Sequence, residues 1–429
     1  MKKLCIIISI FMCQTLFAQQ PVPAKAQNKI ICLRGATVHV GNGDVVENAD
    51  VVFDKGKIIY VGKADPKHDQ YEPISCSGKQ LYPGFIAPNT TLGLTEIEAV
   101  RATNDFYETG LNNASTRSLT AYFSDSKIIP TVRSNGVLVA QVVPRGGLFS
   151  GNSSVMQLDA WNWEDAVMKA DDGLHLNWPS MSLASMHAVE KEDSEKNKSY
   201  EKNVQTVEQF FTDAKAYAAV KNIEKNIKLE AAQALFTGNK TLFIHVDRKR
   251  EMIDAVGMSN KFGIQKVVLV GAYDAYKITD YLLEKKLAVM LQRSHSLPMH
   301  DYDDIDLPFK MAKKLQDAGV SYCLQNEGDM EAMNARNLPF LAGTCVTYGL
   351  SKEQAISAIS SNTAKILGID QMCGTIEVGK DATLFISAGD ALDMRTNQVE
   401  LAFIQGRLLS LTSIQSELYE RYKNKYGLK

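Results

Sequence analysis

Leu242-Phe243-Ile244-His245-Val246, Val267-Val268-Leu269-Val270 and Ala288-Val289-Met290-Leu291 are short runs that are apolar at almost every position. A strand with one wet face alternates polar and apolar residues, so runs like these belong to strands covered on both faces. Between them, Ile253, Val256 and Phe262 recur at helical spacing, and Ile278 to Leu283 fit the next helix. Strand and helix in alternation predict a parallel sheet. Working outward, Val137-Leu138-Val139-Ala140 is another such run. The alternation fills residues 81–370, the size expected of an α/β (β/α)8 TIM barrel.

The flanks read differently. Ala49 to Phe53 and Lys57 to Val61 enclose Asp54-Lys55-Gly56, a hairpin pattern. Gly374 to Ile386 and Ala402 to Arg407 have the same strand-and-turn character. Residues 27–80 plus 371–412 are therefore expected to form one small β-sandwich from both ends of the mature chain, followed by a charged helix over 413–429. Within the middle, Val204 to Ile227 predicts a long amphipathic helix with its apolar face in the core, and Glu190 to Lys202 an exposed charged stretch.

Composition narrows the function classes. The chain has 429 residues, 45% hydrophobic and 22% charged, which excludes a disordered or fibrous protein. With 47 basic against 49 acidic residues, no global field attracts nucleic acid or an anionic membrane. Lys2-Lys3, the apolar run Leu4 to Phe17 and Ala18 read as a signal peptide over 1–18, predicting export to the periplasm or medium. No second apolar run reaches the roughly 20 residues of a membrane span. The cysteines left after cleavage (Cys32, Cys76, Cys323, Cys345 and Cys373) give no disulfide framework. They read as buried thiols, with a Cys32–Cys76 bridge as the alternative.

Leu81-Tyr82-Pro83-Gly84-Phe85-Ile86 resembles the entry to the barrel in the amidohydrolase superfamily. Ser351 to Ala355, Asn362 to Gly368 and Gly374 to Ala382 are similar to the close of its imidazolonepropionase-like branch. The resemblance implies hydrolysis of non-peptide carbon–nitrogen bonds in small amides or cyclic amides. It also implies a Zn or Fe ion, held by histidines on the first, fifth and sixth strands and an aspartate on the eighth. Here Asn89 and Thr91 stand at the two first-strand histidine positions and Gly271 at the sixth-strand position. His245 matches on the fifth, and Glu327 lies near the eighth-strand aspartate. A metal lowers the pKa of its bound water from 15.7 to about 7. Losing it removes on the order of 11 kcal/mol of activation. The usual metal centre is thus expected to be largely eroded, and no cofactor is firmly predicted.

The catalytic candidates are His245, His295 and Glu327, with Asn89, Thr91, Arg145 and Arg293 as substrate-binding candidates. Weak metal candidates are His245, His295, His300 and Glu327, because Arg293 to Asp306 follows a strand and sits at the expected barrel mouth. The plainer reading of that segment is an acidic loop capping the next helix. Pro144 to Ser154 is a Gly/Ser-rich stretch, either a flexible loop or a cradle in which Arg145 meets an anionic group. Expected partners are a small-molecule substrate or ligand and no nucleic acid. Assembly is expected as a homo-oligomer or as a hetero-oligomer with a paralogue. The second functional reading is a catalytically silent binding or partner subunit.

Overall fold

The computed structural model describes residues 22–71, 73–182, 197–220 and 224–428. The expected signal peptide and residues 190–196 of the charged stretch lie outside them. Strands β1 (Ile31–His39), β2 (Val45–Asp54), β3 (Lys57–Lys63), β4 (Pro73–Ser75) and β5 (Gln80–Pro83) open the chain. The next strands are β6 (Phe85–Thr90), β7 (Val137–Val142), β8 (Phe149–Gln157), β9 (Val167–Asn177), β10 (Thr241–Val246), β11 (Val267–Gly271), β12 (Ala288–Leu291) and β13 (Ser321–Leu324). Three more, β14 (Leu384–Ser387), β15 (Val399–Ile404) and β16 (Arg407–Leu408), close it.

Strands β6 to β13 lie side by side in sequence order as a nearly closed, barrel-like sheet of eight. The apolar runs are central strands here: β9, β10, β11, β12 and β13 pair in parallel. One strand breaks the regular (β/α)8 pattern. β8 is antiparallel to both neighbours, so β7, β8 and β9 form a meander where helices were expected. The stretch read as a loop thus becomes a strand from Phe149 onward. Ile86, Val139, Val155, Phe243, Val270, Met290 and Cys323 fill the interior, with Leu367 and Ile369 packed among them. Alternate residues such as Phe85, Leu138, Ile244 and Leu269 meet the surrounding helices in the largest apolar cluster.

The two ends of the chain pair into a second eight-stranded sheet, where β14 lies antiparallel to β5 and β1 parallel to it. Its buried core joins Leu33, Val51, Phe53, Leu384 and Phe403. Of the strand-and-turn stretch 374–386, the end enters β14, and Asp381 forms an isolated bridge to Lys57. His39 ties this sheet to the barrel: it stacks on Tyr82 and meets Glu353 at 2.8 Å. The long helix is Tyr200–Ala219, ending before the expected Ile227, which opens a separate turn of helix. All five cysteines of the described chain are buried free thiols, so the Cys32–Cys76 bridge is not formed. No helix among the described residues is long and apolar enough to cross a membrane.

Candidate functional site

The barrel mouth is built where β6, β10 and β13 end. Along β10, Phe243 and His245 share one face, opposite His175 and Asn177 of β9. His175 is fully buried, stacked on Phe243 with ring centroids 4.8 Å apart. Its Nδ1 meets His245 Nε2 at 2.9 Å, so one ring donates and the other accepts. Burial is the first cause that lowers both: His245 falls to about 4 and His175 well below its ordinary value. The pair is neutral at pH 7. His245 turns its other nitrogen toward Glu327, at 3.8 Å.

Asn89, the next-to-last residue of β6, is in the left-handed region, φ +50°, which asparagine tolerates better than most residues. Its Nδ2 donates to Gln325 Oε1 at 3.1 Å and to Glu327 Oε2 at 2.8 Å. Its Oδ1 accepts from Arg145 Nη1 at 2.7 Å, and its carbonyl from Arg145 Nη2 at 2.8 Å. Arg145 also donates to both oxygens of Glu331, at 2.9 and 3.0 Å, and its Nε lies 3.9 Å from Glu327. A guanidinium therefore bridges the carboxylates at the junction of the strand ends. Burial opposes its charge, but Glu331 and Glu327 outweigh burial. At Glu327 burial pushes up, but Arg145 together with His245 and the hydrogen bonds from Asn89 and Gln325 holds that carboxyl below its usual range, while burial pushes Glu331 up. Behind Asn89, Gln141 links its backbone N–H to buried Asp172.

Asp247 lies two residues after His245, which sequence reading passed over. Burial, then the charge of Glu327, push its carboxyl up to about 7. Gly271 explains how it fits. A Cβ there would lie 2.5 Å from Asp247 Oδ1, and the glycine has φ +84°. The position expected to carry a sixth-strand histidine is instead the space over which the Asp247 carboxylate sits. Gly271→Ala is expected to cost about 2 kcal/mol or more from strain and crowding. Denaturant titration checks this, and a neutral result would show that Asp247 moves freely.

His245, Asp247, Arg293, Gln325, Glu327 and Trp178 line a cavity of about 400 Å³. Thr91, Phe106, Arg145, Met330 and Glu331 line another of about 770 Å³, which Glu327 also borders. The structure thus brings together His245, Glu327, Asn89, Arg145 and Arg293. It does not bring His295, whose Nε2 meets Thr344 at 2.6 Å, or His300, which lies 3.4 Å from Asp274. His175, Asp247 and Glu331 are the residues sequence reading missed. Two of them carried a weak signal: Asp247 alternates with His245, and Glu331 follows Glu327 at one helical turn.

A divalent ion fits this arrangement poorly. Among the described residues, the mouth holds no three His, Cys, Asp or Glu donors within 4.8 Å of one another. Asn89, Thr91 and Gly271 are not adequate replacements for imidazole. An ion at the strand junction would also face the fixed charge of Arg145.

The comparisons agree with this fold. Residues 311–409 match the amidohydrolase family. The chain is 29% identical over 112 residues to the imidazolonepropionase of Flavobacterium psychrophilum, a match covering 24% of this chain and 27% of that protein. It is 23% identical over 370 residues to the imidazolonepropionase of Thermoplasma volcanium, covering 80% and 84% of the two. An amidohydrolase from Thermotoga maritima superposes with a TM-score of 0.75 at 24% identity, over 89% of this chain and 99% of that one. The barrel with its terminal sheet has the fold of that amidohydrolase, and the family match falls on its last part, residues 311–409. Over most of its length the chain is similar to an imidazolonepropionase.

Proposed function

We propose that this chain is an exported hydrolase acting on a non-peptide carbon–nitrogen bond of a small amide or cyclic amide, bound in the cavity beside His245. It does so without the divalent ion that the resemblance implies. The observation that carries this reading is the Arg145 guanidinium bonded to Asn89 and Glu331 beside Glu327, where the resemblance implies a cation held by histidines. The similarity to amidohydrolases and imidazolonepropionases supports the reaction class, and the two carboxyls of the cavity support its acid–base form. Glu327, held ionised, takes a proton from water as that water attacks the carbonyl carbon. Asp247, protonated in part near pH 7, gives a proton to the departing nitrogen. His245 is a neutral hydrogen-bonding wall, and Arg145 is a positioning residue that fixes Glu327.

A chelator is expected to leave hydrolysis of a cyclic amide unchanged, while Glu327→Gln lowers kcat by 100-fold or more. Loss of turnover on chelation, restored by zinc or iron, would sink the metal-free reading. The saturated bonding of Arg145 and Asn89 favours a second reading, the silent binding or partner subunit. Its signature is a wild-type chain that binds the cyclic amide but never turns it over. Export rests on Lys2-Lys3 and the apolar run ending at Ala18; the mature N-terminus is expected at Gln19, read by mass spectrometry.

A further inference from the structure

Far from the barrel mouth, the terminal sheet gathers a second set of metal-binding residue types. Cys32 and Arg34 on β1 lie opposite Val52 and Asp50 on β2. Their neighbours Leu33, Val51 and Phe53 are in the core of the sheet, so Cys32 and Asp50 belong to its other face. The 3₁₀ turn Pro66–Gln70 covers that face and brings in His68. Cys32 and Asp50 are fully buried and His68 is 9% exposed. One donor atom from each of the three lies within 4.8 Å of the others. His68 Nδ1 and Asp50 Oδ2 are already 3.3 Å apart. Four-coordinate zinc, with bonds of about 2.0–2.3 Å, sets its donors roughly 3.3–3.8 Å apart, so drawing the donors in by at most about 1.5 Å closes the set.

The hydrogen bonding of Asp50 leaves one oxygen for such an ion. Arg34 Nη2, His68 Nδ1 and the Asp65 N–H all approach Oδ2, each at a long 3.3–3.4 Å. Oδ1 is buried and takes no hydrogen bond among the described residues. A buried carboxylate oxygen without a partner is costly, and a metal ion is one way to satisfy it. Arg34 is the competing explanation for this cluster. Its guanidinium is shared with Asp69, however, and its own Nε is also buried without an acceptor.

We infer that Cys32, Asp50 and His68 form a binding site for a divalent transition ion of the zinc type, with water as fourth ligand, pinning the 66–70 turn onto β1 and β2. Thiolate, imidazole and carboxylate are the donors that borderline-soft ions take together. As the sulfur–metal bond forms, the Cys32 thiol proton passes to solvent, and no redox change is involved.

The test uses the full purified chain, stripped with a chelator and titrated with Co²⁺. One equivalent is expected to bind, giving a near-ultraviolet thiolate charge-transfer band that Zn²⁺ displaces. Cys32→Ser should abolish the band. His68→Gln, on the covering turn and clear of the sheet core, should weaken binding at least tenfold. Circular dichroism of the stripped variants, matching wild type, shows that the loss is one of ligands. His245→Ala should bind Co²⁺ like wild type. The inference is overturned if stripped wild type takes up no Co²⁺, if the band survives Cys32→Ser, or if His245→Ala removes the ion.

Discussion

Arg145→Met is expected to lower the free energy of unfolding by about 3–5 kcal/mol, the usual cost of breaking a buried ion pair from one side. The substitution keeps much of the side-chain volume and removes the only cation bonded to Glu331 in the described structure. Glu327 and Glu331, which each repel the other's charge, would then share a buried site with Asn89 as a weak donor. Neutralising one partner should recover part of the loss, so Arg145→Met with Glu331→Gln is expected to be more stable than Arg145→Met alone. Arg145→Lys should fall between wild type and Met, because an ammonium keeps the charge but cannot span Asn89 and Glu331 with a planar fork. Chemical denaturation of wild type, the two Arg145 variants and the double variant measures these differences. A cost under about 1 kcal/mol for Arg145→Met, or no recovery in the double variant, would mean that the guanidinium is not what holds the mouth together.

That clamp was not legible in the sequence, and the reason is physical. Its parts come from the end of β6, the turn after β7 and the segment after β13, and no spacing along the chain connects them. The parallel strands were legible because burial on both faces writes itself as an unbroken apolar run, as in β11 and β12. β8 shows the opposite case. Ser150, Asn152, Ser153 and Ser154 are buried, yet their composition reads as loop. They are tolerated because they find buried partners: Ser153 donates to Asp172 of β9, and Asn152 to the Ala114 carbonyl of the segment before β7. His175 escaped for a related reason. An isolated histidine in Leu174-His175-Leu176 gains meaning only when the β9–β10 register sets it on Phe243 and against His245. The His245 and Glu327 positions were readable because the resemblance fixed which strand ends to inspect, and those ends do converge.

Asp247→Asn is expected to stabilise the protein at about pH 8 by on the order of 1–3 kcal/mol and to change little near pH 4. The sign follows from the direction of the shift. Folding raises this carboxyl from 3.8 to about 7, so between those values the native state binds the extra proton and stability falls as pH rises. Below 3.8 both states are protonated and no penalty exists; above 7 the native state carries a charge close to Glu327 and the penalty is complete. The full shift would correspond to about 4 kcal/mol, reduced here because water reaches the cavity that Asp247 lines. Asparagine keeps an oxygen for the Tyr273 N–H, a bond of 3.4 Å, and carries no charge to repel. The same substitution removes the proton donor for the departing nitrogen, so turnover should drop while stability rises, as expected where a residue is kept for chemistry at the expense of the fold. Thermal melts of both proteins at the two pH values, beside turnover of a cyclic amide, separate the possibilities. Equal shifts at both pH values would show an ordinary surface-like carboxylate. A stability gain confined to high pH, with turnover intact, would leave Asp247 titrating as described but remove it from the reaction.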